Sequence, residues 1–316
     1  MHIVTGGAGF IGSNLVRRLL DETGDDVVVV DDLSDGRKFR NIADLAIADY
    51  LDKEEFLDSL TTGFGTGIQS IFHQGACSVT TEWDGRYMMR NNYRYSTELL
   101  HHCLEYDIPF IYASSAAVYG GARQFDEVPE NELPLNVYGY SKQLFDQQVR
   151  RLSLDAGQQV AGLRYFNVYG PGEQHKGSMA SVVYHFNEQI LRDDEIRLFE
   201  GSGGFADGEQ RRDFVYVDDV CTVNLWFLNN RKASGIYNVG TGKSRSFNDV
   251  ANSVIEWHGH GRIRYVPFPE DLAGAYQSYT QADLGRLRDA GCDTVFRDVE
   301  AGVRAYLDRL TRQARQ

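Results

Sequence analysis

The run Thr5-Gly6-Gly7-Ala8-Gly9-Phe10-Ile11-Gly12 stands between two segments of different periodicity, and it constrains the fold more than any other stretch of the chain. Ahead of it, His2–Thr5 reads as a short strand. Behind it, Phe10, Ile11, Leu15, Leu19 and Leu20 share one helical face, with Arg17, Arg18 and Asp21 on the other, until Gly24 ends the pattern. Glycines at 6, 9 and 12 permit a tight turn, a close approach of backbone to a pyrophosphate, and close packing of helix on strand. The start of the helix offers its unpaired N–H groups to the anion. A glycine triplet alone also marks ordinary turns. Here Asp31 closes the next strand 22 residues after Gly9, where an acid meets a ribose, so the context points to a dinucleotide site.

Short β-type runs recur at Val27–Asp31, 43–48, Ser70–His73, 110–113 and Val160–Tyr165, separated by helical patterns. This alternation predicts an α/β fold, a doubly wound parallel (Rossmann) sheet with helices on both faces. After Tyr165 the pattern loosens into Gly-rich and aromatic segments such as 201–208, which predicts a smaller C-terminal α/β substrate domain. The expected division is 1–167 for the dinucleotide-binding domain, with 214–242 returning to it, and 168–213 plus 243–316 for the substrate domain.

A net charge of −13 and a pI near 5.1 give no footprint for nucleic acid or anionic membrane surfaces. Apolar runs such as 27–30 are far too short to span a bilayer. The N-terminus enters a strand at once, which predicts a cytoplasmic protein. Cys77, Cys103, Cys221 and Cys292 lie far apart with no metal-ligand spacing, so reduced thiols and no metal are expected.

Tyr138-Gly139-Tyr140-Ser141-Lys142 holds Tyr-x-x-x-Lys at the start of a helix that Asn136 can cap. The spacing of four puts Tyr138 and Lys142 on one face, where an ammonium favours the phenolate and reaches a ribose. Such a tyrosine can exchange a proton with a sugar hydroxyl while a hydride moves to nicotinamide. Upstream, the strand through 110–113 runs out into Ser114 and Ser115, and ligands of open α/β sheets bind beyond the carboxyl ends of strands. Two serines there also suit a plain turn, and a Tyr and Lys four apart are common on surfaces. Their occurrence together, in this order, after the glycine turn favours the functional reading.

With these motifs the chain resembles the extended short-chain dehydrogenase/reductase family over essentially its whole length, and within it the NAD(P)-dependent epimerases of nucleotide-linked sugars. The specific strings are 74–85, 87–93, 164–171, 175–181 and 212–217. The resemblance implies an NADP-bound, redox-neutral inversion at C6 of an ADP-heptose through a transient 6-keto sugar, a step of lipopolysaccharide core precursor synthesis, in a homo-oligomer, by resemblance a pentamer. It implies Ser115, Tyr138, Lys142 and Lys176 at the chemistry. Around the cofactor it sets Gly6, Gly9, Phe10, Ile11, Gly12, Asp31, Asp32, Lys38, Lys53, Gln74, Gly75, Ala76, Cys77, Ser78 and Asn91, together with Tyr138 and Lys142. Around the nucleotide-sugar it sets Asn167, Val168, Ser178, His185, Phe199, Glu200, Gly201, Ser202, Arg212 and Tyr276.

Two departures stand out. Asp32 occupies a position where related epimerases often carry Asn, and the loop 203–211 beside Arg212 is longer than usual and is expected to reshape the pocket rim. Asp31 and Asp32 favour a free ribose 2′-hydroxyl, while Arg37, Lys38 and Lys53 would offset them at a 2′-phosphate. NADP is therefore expected, with NAD as the weaker choice. One tyrosine can serve only one C6 epimer if the nicotinamide stays fixed, so a second proton carrier is needed and Lys176 is the candidate, its pKa lowered by burial or by the charge of Lys142. Among Arg197, Arg211, Arg212 and Arg245, Arg212 is the one expected at a diphosphate. A nucleotide-sugar dehydratase would need an acid where Ala116 and Ala117 stand, and a catalytically inactive NAD(P) sensor would not need the Ser, Tyr and Lys set.

Overall fold

In the computed structural model, residues 1–61, 67–152, 154–155, 157–269 and 277–313 are described. The first half alternates as the sequence predicts: β1 His2–Thr5, α1 Phe10–Thr23, β2 Val27–Asp31, β3 Asp49–Asp52, α2 Lys53–Thr61, β4 Ser70–His73, α3 Gly85–Met88, α4 Tyr95–Glu105, β5 Phe110–Ser115, α5 Val137–Arg150 and β6 Val160–Tyr165. A π-helical turn, Met89–Arg94, joins α3 to α4. The second half holds β7 Asn167–Tyr169, α6 Val182–Asp193, β8 Glu195–Phe199, β9 Arg211–Arg212, β10 Phe214–Tyr216, α7 Val217–Asn229, β11 Gly235–Val239, β12 Arg245–Ser246, α8 Phe247–His258, β13 Arg262–Val266, α9 Gly285–Asp289 and α10 Val299–Gln313.

Seven parallel strands form one sheet in the order β11-β6-β5-β4-β1-β2-β3. The chain therefore reverses its direction of progress between β1 and β4, and the crevice at their carboxyl ends is where such sheets bind ligands. Strand alternation explains why both faces are covered. Val4, Val29, Phe72 and Ile111 enter the core on one side, while Ile3, Val28, Ile71 and Phe110 enter a separate core on the other. Three two-stranded pairs, β7 with β10, β9 with β12 and β8 with β13, build the part beyond the sheet.

Local signals set most boundaries. Gly24 caps α1 in the left-handed conformation, and the Asn136 side chain accepts the N–H of Gly139 at the start of α5. One strand is displaced from its expected place: 43–48 forms a turn, and the third strand is β3, Asp49–Asp52. The alanines and isoleucine of 43–48 mimic a buried run. The ladder to β2, however, pairs Val28 with Asp49 and Asp31 with Asp52, so sheet register overrides composition. The strand through 110–113 likewise runs on to Ser115, paired with Tyr165.

Candidate active site

The carboxyl ends of β1, β4, β5 and β6 open into a cleft of about 490 Å³. Its floor is the glycine turn. Gly6 has φ +69°, and a Cβ there would meet the Gly75 backbone at 2.6 Å; at Gly12 a Cβ would lie 2.1 Å from the Gly6 carbonyl. Only glycine allows this approach of loop, helix and neighbouring strand. Gly9 caps α1 with no side chain, so the first N–H groups of the helix face the cleft without an intrahelical partner. Gly6, Gly9, Phe10, Ile11 and Gly12 all line it, as do Gln74, Gly75, Ala76 and Ser78 beyond β4. This cradle fits the pyrophosphate of a dinucleotide.

At the ribose end Asp31 does more than face a ligand. Its carboxylate accepts the Ala8 N–H at 2.8 Å, which pins the glycine turn, and it pairs with Lys38 Nζ at 2.6 Å. Its Oδ1 also accepts the Asp32 N–H at 2.7 Å, so one acceptor position, on Oδ2, remains for a hydroxyl. Asp32 lies 3.1 Å from Lys53 Nζ, and Lys53 also donates to Asn91 Oδ1 at 3.1 Å. Hydrogen bonds from Ser34, followed by Lys53, hold the Asp32 carboxyl well below the usual range. Asp31 and Lys38 line the cleft, whereas Asp32, Lys53, Asn91 and Cys77 stand outside its lining. Cys77 instead exchanges backbone hydrogen bonds with the Asn92 side chain. Arg37 turns away to Asp35, at 2.8 and 2.9 Å, and lines a separate hollow of about 890 Å³ between α1, α6 and α10.

The expected chemical group converges. Ser115, Tyr138, Lys142 and Lys176 line the same cleft, although Lys176 comes from the turn before α6. Burial pushes the Tyr138 phenol above its ordinary value, and the nearby Ser115 hydroxyl partly opposes this. Lys142 differs from expectation. Its ammonium donates to the Ala113 carbonyl at 2.7 Å, and burial, opposed by Asp146, pulls it down to about 8. Lys176 sits 5.3 Å from the centroid of the Phe10 ring. Burial lowers it and nearby Glu173 opposes, so the neighbouring charge that matters is Glu173 rather than Lys142.

On the sugar side, Asn167 and Val168 reach the cleft from β7, held by pairing with β10. Ser178, His185, Phe199, Glu200, Gly201, Ser202 and Arg212 do not line it. His185 lies 3.4 Å from the Ser178 carbonyl, just beyond the rim segment 179–182 that does. The segment 199–208 closes on itself: Gly201 N–H reaches Asp207, Ser202 receives Gln210, and Gly208 N–H returns to Phe199. The long loop is thus bound within itself and, through Asn248, to α8, and none of 203–211 lines the cleft. Arg212 is buried against the Phe247 ring at 5.8 Å, and its neighbour Arg211 is spent on Ser244. Arg197 pairs with Asp193, and Arg245 with Asp249 and Glu300. Tyr276 lies outside the described residues.

Ser114, singled out with Ser115 at the end of β5, lines the cleft too, and Thr80, Ala113, Tyr165, Phe166, His175, the rim segment 179–182, Phe214 and Phe247 join it without having been placed among the site residues. His175 flanks Lys176 and Phe214 follows Arg212, so position beside assigned residues was the available signal. Phe247 had none, because α8 is brought to the cleft by the β9–β12 pairing.

A family model described as the NAD dependent epimerase/dehydratase family matches residues 2–240. An ADP-L-glycero-D-manno-heptose-6-epimerase of Alkalilimnicola ehrlichii is 62% identical over 311 residues, covering 98% of this chain and 97% of that protein. The crystal structure of the Helicobacter pylori ADP-L-glycero-D-manno-heptose-6-epimerase superposes with a TM-score of 0.85 at 33% identity, over 98% of this chain and 96% of that one. A Thermus thermophilus UDP-glucose 4-epimerase in complex with NAD gives 0.79 at 28% identity, over 98% and 99% of the two chains.

Proposed function

Because this chain belongs to the NAD dependent epimerase/dehydratase family, we propose that it is an isomerase that inverts C6 of ADP-D-glycero-D-manno-heptose to the L-glycero epimer, in lipopolysaccharide core precursor synthesis. The observation that carries the chemistry is the convergence of Tyr138 and Lys176, 38 residues apart in sequence, on one cleft with Ser115 and the glycine cradle. A nicotinamide dinucleotide bound in that cradle supplies a hydride acceptor that returns the same hydride, so the reaction is redox-neutral. The residues of the chain do the rest. Tyr138 exchanges the proton of the C6 hydroxyl in one epimer, and Lys176 does so in the other, with a 6-keto sugar between. Ser115 holds the Tyr138 phenol, and Lys142 supplies the positive charge beside it. Depression of the Lys176 ammonium brings its proton affinity nearer to neutral pH, where exchange is efficient.

The dehydratase alternative loses ground because the residues after Ser115 are Ala116 and Ala117, which open a short 3-10 turn and carry no acid. Incubation with the D-glycero substrate, followed by NMR at C6, tests the proposal. Conversion to a mixture of epimers with no net reduction of cofactor is expected. Reduced cofactor growing in step with product would make the protein a dehydrogenase instead.

For the cofactor, NADP over NAD is the reading supported by Lys38 and Lys53, and the pairs Lys38–Asp31 and Lys53–Asp32 keep the preference modest, since a 2′-phosphate competes with two carboxylates. Asp32→Asn should tighten NADP relative to NAD by about tenfold, near 1.4 kcal/mol, in dissociation constants measured for both. An unchanged ratio would remove Asp32 from cofactor choice. Among the described residues no helix is long and apolar enough to cross a membrane. A cytoplasmic homopentamer, with 1–167 and 214–242 as the nucleotide half and 168–213 and 243–316 as the sugar half, belongs to the same proposal, and sedimentation velocity measures the assembly.

A further inference from the structure

Three consecutive residues of β5 hold two charged side chains of α5. The Ala113 carbonyl accepts Lys142 Nζ at 2.7 Å, while the hydroxyls of Tyr112 and Ser114 on either side each donate to Asp146 at 2.9 Å. Lys142 and Asp146 are four apart and so share a helix face. Asp146 is fully buried, and its second oxygen also accepts Arg164 Nε at 2.9 Å from β6. Ser114, held by this carboxylate, lines the cleft.

We propose that Asp146 is a positioning residue for the reaction, the buried counter-charge that keeps Lys142 cationic on the Ala113 carbonyl and fixes Ser114 at the cleft. This rests on the roles given above to Tyr138 and Lys142. Arg164 by itself does not account for Asp146. The Arg164 guanidinium already pairs with Glu132, whose other partner is Arg150. Glu132 and Asp146 are the carboxylates that pair with Arg164, with Glu127 also near it, and Asp146 is the one on the helix face of Lys142. Among the described residues, the remaining groups around Lys142 offer no negative charge. His73 on β4 is kept neutral by burial, with the Lys142 charge adding to that effect, and Tyr138 on α5 stays protonated in its buried position. Burial pulls the Lys142 ammonium down to about 8, and Asp146 is the group that opposes it. A buried lysine without such a partner would lose its proton at a lower pH.

The chain has six lysines, so ε-13C-lysine labelling gives a tractable spectrum in which Lys142→Arg assigns the Lys142 signal. Asp146→Asn should lower the Lys142 titration midpoint by about one pH unit or more. The alkaline limb of kcat should move down with it, since activity is lost as Lys142 deprotonates. Asp146→Glu, which restores the charge, should keep the midpoint within about half a unit of the parent. A folded, cofactor-binding Asp146→Asn protein whose midpoint and alkaline limb stay in place overturns the proposal. So does an equal drop in Tyr112→Phe, which loosens the same cluster without removing charge. Should Asp146→Asn fail to fold because Arg164 keeps only Glu132, which it shares with Arg150, the Asp146→Asn/Arg164→Gln protein carries the same expectation, because Asp146 is the charge acting on Lys142. Full turnover by Lys142→Met would count against the catalytic reading of Lys142, whereas the NMR midpoint alone reports on Asp146.

Discussion

Lys176 shows how far one side chain's chemistry depends on where the chain leaves it. Its ammonium lies over Phe10, is lowered by burial and keeps Glu173 nearby, and among the described residues it forms no ion pair within 4 Å. A lysine meant only to hold a diphosphate would be equally useful fully charged and exposed. The two roles separate on substitution. Lys176→Met should leave the affinity for an unreactive ADP-sugar nearly intact while kcat falls by roughly 10²-fold or more. Tyr138→Phe should be comparably slow, and each variant should still complete the half-reaction of its own epimer in a single turnover. Weakened binding with full kcat at saturation would make Lys176 a phosphate contact. The sequence marked both residues as chemistry-bearing and named burial or the charge of Lys142 as the cause lowering Lys176; burial is the cause, and the charge beside it is that of Glu173, brought near by the local 3-10 turn, which opposes the shift.

At the scale of elements, β4 is tied to its neighbours by one histidine. His73 contacts the Thr5 hydroxyl on β1 at 2.6 Å and the Ser96 hydroxyl on α4 at 2.7 Å, and it stacks between Tyr95 and Phe110. Burial, aided by the charge of Lys142, depresses its pKa to about 3. An unfolded histidine takes its proton near 6.5, so between those values the unfolded chain binds one more proton than the folded one. The contribution is therefore fully present above about pH 6.5 and is lost as pH falls towards about 3. His73→Gln should flatten the decline of stability between pH 7 and 4 relative to the parent, as read from urea midpoints. A variant that declines as steeply as the parent would show that other groups set the acid limit. The strand Ser70–His73 was legible from its apolar run, yet the histidine's task was not, since its partners lie 68 and 23 residues away.

Across the whole molecule, two asparagines tie the glycine turn and its helix to the distant segment 171–172. Asn41 Nδ2 donates to the Ala8 and Gly172 carbonyls, both at 3.0 Å, and Asn14 Nδ2 donates to Phe10 and Pro171 at 2.9 and 2.7 Å. The glycine turn and the segment that leads to Lys176 are thus one construction. Asn41→Ala should raise the dinucleotide dissociation constant and the sugar-nucleotide KM together, each about 3- to 30-fold, the scale of one or two lost buried hydrogen bonds. A change in only one of them would mean that the seam does not couple the sites. The sequence by itself determined the glycine cradle, the parallel sheet, the Asn136 cap and the Tyr138–Lys142 spacing, because each depends on backbone freedom, hydrophobic period or helical geometry within a few residues. Only the tertiary structure decided that Asp31 is shared with Ala8 and Lys38, that Arg37 faces away, that 199–208 closes on itself, and that Lys176 rests on Phe10. The Ala8–Asp31 and Phe10–Lys176 contacts join segments far apart in the chain and form only once the sheet has closed, whereas the Arg37–Asp35 pair and the closure of 199–208 are side-chain bonds within a few residues that no hydrophobic period or helical spacing announces.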